Sequence, residues 1–186
     1  MAILAASGRL DSDLKEALLH AAQLRLAVPP TLDDIPTLVE DVRRSGRPTL
    51  GKAIFERPSL ACVNCHAIDG SPGRIGPDLG ALGTAQTVEY ILGAIIDPQK
   101  EVKEGFVAHE LETRDGELHQ GYLRAESEGF IEFQDHLAQR LIRLESQQIL
   151  SRRSIGSLMP PGLANTLTRD ELRDLTAYLS RLGRRD

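Results

Sequence analysis

The chain has 186 residues and a formal charge of -5, with both signs spread through the 26% of residues that are charged, so it lacks the basic excess that a nucleic-acid partner requires. At 41% apolar residues it can bury a sizeable core in one or two domains, although it has no tryptophan and only 4% aromatic residues. Met1-Ala2-Ile3-Leu4-Ala5-Ala6 has no basic lead and too short an apolar run for a secretory signal, and no later stretch is long enough to span a bilayer.

In chain order, residues 12 to 26 are rich in helix formers, with Leu14, Ala17, Leu18 and Ala21 on one face and Ser12 or Asp13 able to cap the first turn. Val28-Pro29-Pro30 stops that helix. A second is predicted over 34 to 44, where Ile35, Leu38, Val39 and Val42 repeat with helical period, and Gly46 and Pro48 close it. The two make an antiparallel helical hairpin over residues 1 to 46, whose apolar stripe needs a surface to lie on. The segment that follows is the nearest one.

A short helix starts near Thr49, with Leu50, Ile54 and Phe55 on one side, and leads into Cys62-Val63-Asn64-Cys65-His66. A C-x-x-C-H run offers two thiols for thioether bonds to haem vinyl groups and places the next residue as an iron ligand. Cys62 and Cys65 are the only cysteines, so a four-ligand zinc site would need a second ligand pair from elsewhere, and His20, His109, His119 and His136 show no such spacing. A thioredoxin-like redox motif expects a βαβ setting, whereas these flanks read as helix and loop. Gly70, Gly73, Gly76 and Gly80 read as a flexible wrap around a haem edge, without the strand-to-helix setting of a nucleotide site.

Residues 87 to 96, with Val88, Ile91, Leu92 and Ile95, form a further helix ended by Asp97-Pro98. From Gly105 to about Ser154 the period changes to two. Strands are expected over 106 to 113 and 118 to 125, joined by a type I′ turn at Asp115-Gly116, then at Phe130 to Phe133 and Leu141 to Leu144. These four strands make a small antiparallel sheet or partial barrel inserted over 105 to 154. His109, His119 and His136 all fall inside it, and they read as ordinary strand and turn residues because no carboxylate or cysteine accompanies them at metal-ligand spacing.

Apart from Met1 the only methionine is Met159, in Ser157-Leu158-Met159-Pro160-Pro161-Gly162. A low-spin electron carrier wants Met or His opposite the proximal histidine, and the proline pair stiffens this loop, so Met159 is the candidate distal ligand. Filling a gap in the core is the alternative role for it. Thr168-Arg169-Asp170-Glu171 is a capping box, and Leu172, Leu175, Leu179 and Leu182 with Tyr178 supply the stripe of a last helix.

The Cys62 to His66 run, Ile75-Gly76-Pro77-Asp78-Leu79 and the Ser157 to Pro160 loop together resemble class I cytochrome c. More narrowly, they are similar to the haem-binding module at the C-terminal end of large exported proteins of planctomycetes and related bacteria, which carries a β-rich insertion between the Gly-Pro-Asp-Leu segment and the methionine loop. The resemblance covers roughly residues 46 to 186. It implies a mainly α cytochrome c fold, α+β overall, with a core of residues 47 to 104 and 155 to 186. It implies one covalently attached haem c, bonded at Cys62 and Cys65, its iron held by His66 and Met159. The Pro77 carbonyl would accept a hydrogen bond from the non-ligating nitrogen of His66, and Arg74 would reach a haem propionate.

The function this implies is one-electron transfer, with the chain as carrier and not enzyme, serving a redox partner protein or a fused dehydrogenase domain. Covalent haem attachment in bacteria takes place outside the cytoplasm. A periplasmic or otherwise extracytoplasmic site is therefore expected, the export signal being carried by a longer parent or removed by processing. Two other classes stay open: a gas sensor or peroxidase-like domain with a labile distal ligand, and an interaction module with a structural haem. A homodimer through the insert or the N-terminal hairpin is compatible with the sequence.

Overall fold

The computed structural model describes residues 29–68 and 75–184, and the expected helix over 12 to 26, with the hairpin it would form, lies outside them. Among the described residues there are six α-helices and one sheet. The helices α1 (Ile35–Ser45), α2 (Pro48–Phe55), α3 (Cys62–Cys65), α4 (Leu82–Ala85) and α5 (Val88–Ile96) precede five strands, β1 (Ala108–Thr113), β2 (Leu118–Ser127), β3 (Phe130–Asp135), β4 (Arg140–Glu145) and β5 (Ile149–Gly156). The chain then returns to helix in α6 (Arg169–Leu179).

Local chemistry explains where the helices begin and end. Pro36 and Pro48 lie in the first turns of α1 and α2, where a missing N–H costs no hydrogen bond. Thr87 caps α5, its hydroxyl accepting from the Tyr90 N–H at 3.2 Å. At α6 the capping box is complete: the Thr168 hydroxyl accepts from the Glu171 N–H at 3.2 Å, and the Glu171 carboxylate accepts from the Thr168 N–H at 2.9 Å.

The helical core gathers Leu38 and Val39 of α1, Ile54 and Phe55 of α2, Ile91, Leu92 and Ile95 of α5, and Leu172, Leu175 and Leu179 of α6. Each such side chain contributes about 1.5–3 kcal/mol relative to exposure. The apolar stripe of α1 thus lies on this core. The expected place of Leu50 is corrected: it is 46% exposed, because the buried face of α2 is drawn by Gly51, Ile54 and Phe55. Gly51 lets α2 and α6 meet backbone to backbone, since a Cβ there would lie 1.9 Å from the Asp174 carbonyl oxygen. Asp174, buried on α6, accepts from the Arg47 N–H at 3.1 Å and the Arg47 Nε at 3.0 Å, which ties the start of α2 to α6.

The insert is an open antiparallel sheet of order β4-β3-β2-β1-β5, with five strands where four were expected. β5 escaped the sequence reading because it is an edge strand whose middle is polar and exposed, Ser151-Arg152-Arg153-Ser154, held by ion pairs from Arg152 to Glu126 and Arg153 to Glu110. The sheet therefore runs to Gly156, past the expected boundary at 154. The first hairpin also differs. Asp115 does not have the positive φ that a type I′ turn demands; the Gly116 N–H bonds the Thr113 carbonyl at 3.0 Å, and Gly116 alone is left-handed at φ +89. Arg114-Asp115-Gly116 is a three-residue loop. One face of the sheet buries Leu111, Ile131 and Phe133 as a second apolar cluster, with Leu123, Ile142, Leu144 and Ile149 around it.

Candidate functional site

The site is built on α3 and the segment that runs beside it. Ala61 enters the motif in the left-handed region at φ 53, a conformation that L-residues other than Asn and Asp seldom adopt, and one helical turn follows through Cys62 and Cys65. The His66 N–H closes that turn on the Cys62 carbonyl at 2.9 Å. Residues 75 to 79 then lie alongside: the Gly76 N–H donates to the Cys65 carbonyl and the Leu79 N–H to the Ala67 carbonyl, both at 2.8 Å.

This stitching places the Pro77 carbonyl 2.9 Å from Nδ1 of His66. A carbonyl only accepts, so Nδ1 carries the proton and the lone pair is on Nε2, the nitrogen left for a ligand bond. Burial pushes the imidazole below its usual value and the Pro77 carbonyl pulls it back, so the ring is held neutral near pH 7. Gly76 lies flat against it, where a Cβ would sit 2.6 Å from Cε1.

Both thiols are unpaired and half-buried. Burial pushes Cys62 and Cys65 up, and at Cys62 the neighbouring Cys65 adds to the rise, so both thiols are held protonated near pH 7. These groups fit a covalently attached haem: two free thiols one helical turn apart, followed by an imidazole oriented from behind with an unshared lone pair.

Met159 sits elsewhere in the chain, on the loop that leaves β5. It is half-buried, and its N–H donates to the Ser157 hydroxyl at 3.1 Å. The structure thus brings together Cys62, Cys65, His66 and Pro77, and holds Met159 on a separate, ordered loop. Arg74 lies outside the described residues.

Two features gave no signal in the sequence. Gln99, just after Asp97-Pro98, donates from Nε2 to the Ser157 carbonyl at 3.0 Å and accepts from the Ser157 N–H at 2.9 Å. Tyr122 of β2 is 3% exposed and sits edge-on to both Phe106 (5.4 Å between centroids) and His136 (4.7 Å). Burial pushes its phenol up to about 12; the Arg124 guanidinium, 5.0 Å from the ring centre, pulls it down, and Cys65 pushes it up.

One of the sheet histidines has a carboxylate partner that the sequence spacing did not show. Asp135 of β3 accepts from Nδ1 of His119 at 2.6 Å, across a register that sets Gly121 of β2 opposite Asp135. Asp135 also accepts from the N–H groups of Leu137 and Ala138 at 2.7 and 3.0 Å, so it organises the β3–β4 turn. Among the described residues no group of three or more His, Cys, Asp or Glu side chains is arranged to hold a metal ion. A groove of about 600 Å³ between α1, α4 and α6, lined by Arg43, Gly83, Thr84 and Arg184, is remote in sequence from the motif and includes none of its residues.

No protein-family model matches the chain, and no curated protein is significantly similar to it in sequence. No helix among the described residues is long and apolar enough to cross a membrane.

Proposed function

We propose that this chain is an electron carrier of the class I cytochrome c type, with one haem bonded at Cys62 and Cys65 and its iron ligated by His66 and Met159. The observation that carries the reading is the orientation of His66. Its Nδ1 is committed to the Pro77 carbonyl inside a C-x-x-C-H run, so the ring is oriented and Nε2 is the nitrogen that would ligate iron, as a neutral donor. When bound, the haem supplies a one-electron ferrous and ferric couple.

The rest of the reading follows from what these residues do. Cys62 and Cys65 would hold the group by thioether bonds, and His66 would supply one ligand to its iron. Met159, a softer donor to ferric iron than histidine, favours the reduced state and raises the potential. The packing of α2 on α6, with the haem loop directly after α2, supports a cytochrome c fold for the helical part. The partner is a redox protein or a fused dehydrogenase domain, and the location is periplasmic or otherwise extracytoplasmic, where haem is attached.

The test is to produce the protein with the cytochrome maturation machinery and record oxidised and reduced absorption spectra. Sharp reduced bands of c-type haem with the weak far-red band of methionine-ligated ferric iron are expected. Covalent haem without the far-red band would favour the sensor or peroxidase-like reading. Failure to attach haem would overturn the proposal.

A further inference from the structure

We propose that Gln99 is the positioning residue of the distal-ligand loop: its carboxamide, clamped on both backbone groups of Ser157, holds Met159 in place. The inference rests on the His66/Met159 reading above and adds to it the element that keeps the methionine on the iron.

Three observations carry it. The Gln99 side chain makes paired hydrogen bonds with the Ser157 carbonyl and N–H, at 3.0 and 2.9 Å, as a neighbouring strand would. Ser157 passes this order on, because its hydroxyl accepts the Met159 N–H at 3.1 Å. Gly156 makes the approach feasible: it is left-handed at φ +76, and a Cβ there would lie 2.2 Å from Oε1 of Gln99. A side chain at that position would push the carboxamide off the loop.

The chemistry of the clamp selects glutamine. One group must donate and its neighbour accept, at the end of a two-methylene stem. Glutamate keeps the acceptor for the Ser157 N–H but turns its second oxygen on the Ser157 carbonyl. Asparagine falls one methylene short.

The clamp also lies at the neck of the insert. Gln99 precedes the sheet and Ser157 follows it, so their pairing pins together the two chain passages between helices and sheet. β5 runs straight into the methionine loop, and its last residue, Gly156, pairs with Ala108 of β1.

The experiment compares haem-loaded unmodified protein with Gln99→Ala, Gln99→Glu and, as a control, Thr87→Ala, which removes the α5 cap without touching the loop. Far-red absorbance of the ferric form, the rate of carbon monoxide binding to the reduced form and the urea midpoint are read for each. Losing both hydrogen bonds in Gln99→Ala, or exchanging one for an oxygen set against the Ser157 carbonyl in Gln99→Glu, is expected to raise the methionine-off population about tenfold. Gln99→Ala and Gln99→Glu should therefore lose far-red intensity and bind carbon monoxide about tenfold faster, while Thr87→Ala loses stability and keeps both spectroscopic properties. A full far-red band and unchanged carbon monoxide binding in both Gln99 variants would overturn the proposal alone. Absence of the band from the unmodified protein would overturn the His66/Met159 reading, and this proposal with it.

Discussion

Nδ1 of His66 lies 2.9 Å from the Pro77 carbonyl oxygen, and the same ring leaves no room for a side chain at Gly76. The Gly76 N–H is bonded to the Cys65 carbonyl at 2.8 Å, so its backbone cannot retreat without breaking the stitching. In Gly76→Ala the imidazole must move. The expected cost is about 1–3 kcal/mol, as for other overpacked sites, read from urea unfolding. The haem-loaded variant should also shift its reduction potential, because the ring's tilt and its Pro77 hydrogen bond change together. An equally stable variant at the parent potential would show that the ring adapts freely.

Ala61 holds a left-handed φ of 53 immediately before Cys62. The clash of Cβ with the backbone costs roughly 1–2 kcal/mol for an L-residue, and glycine is free of it. Ala61→Gly is therefore expected to raise stability by about 1 kcal/mol after the extra unfolded-state entropy of glycine is taken off. The readout is a higher urea midpoint at unchanged slope. A lower midpoint would mean that the strain is not borne at this position.

Asp174 is buried between α2 and α6 and is ion-paired with Arg47 at 2.8 Å and Arg173 at 2.9 Å. Burial pushes its carboxyl up, but the hydrogen bonds from Arg173, the Arg47 side chain and the Arg47 N–H outweigh this and hold it below its ordinary value of 3.8. A depressed native pKa means that, as pH falls through the region below about 4, the unfolded chain binds its proton first. The stabilisation from Asp174 is thus fully present above that region and is lost as pH falls through the native pKa. Asp174→Ala should cost about 1–3 kcal/mol at neutral pH, the worth of its charge-assisted hydrogen bonds, since Arg47 is half-exposed and Arg173 keeps its ion pair with Asp170 at 2.7 Å. It should also flatten the fall of stability with acid below pH 4. An unchanged acid slope would assign that fall to other carboxylates, such as Glu171.

The features legible in the sequence are those set by neighbours along the chain. The capping box at Thr168 and Glu171, the stripes of α1 and α6 and the C-x-x-C-H turn all depend on residues a few positions apart. The His66 to Pro77 hydrogen bond was expected only through the family resemblance, and the structure contains it. What escaped was set by distant partners. β5 is a strand because β1 offers it an edge, not because of its own polar middle. The role of Gln99 comes from Ser157, brought beside it by the return of the chain from the sheet, and the setting of Tyr122 from Phe106 and His136, placed around it by the sheet. Asp135 meets His119 only once β2 and β3 are in register. In each case the deciding neighbour is many residues away.

Phe133 is fully buried at the centre of the sheet, against Leu111 and Ile131, in a cluster distinct from the helical core around Leu92 and Leu172. Truncating it removes a large apolar side chain and leaves a cavity that flanking strands, fixed by their ladders, fill poorly. Phe133→Ala is expected to cost about 3–5 kcal/mol, and that cost falls first on the sheet. Stability need not be uniform in a chain with two apolar clusters, and local opening follows the weaker one. Amide hydrogen exchange in β1, β2 and β3 should therefore speed up far more than in α2 and α6, whose contacts with each other do not involve Phe133. Equal acceleration in sheet and helices would show that the two clusters unfold as one cooperative unit, joined through the neck at Gln99 and Ser157.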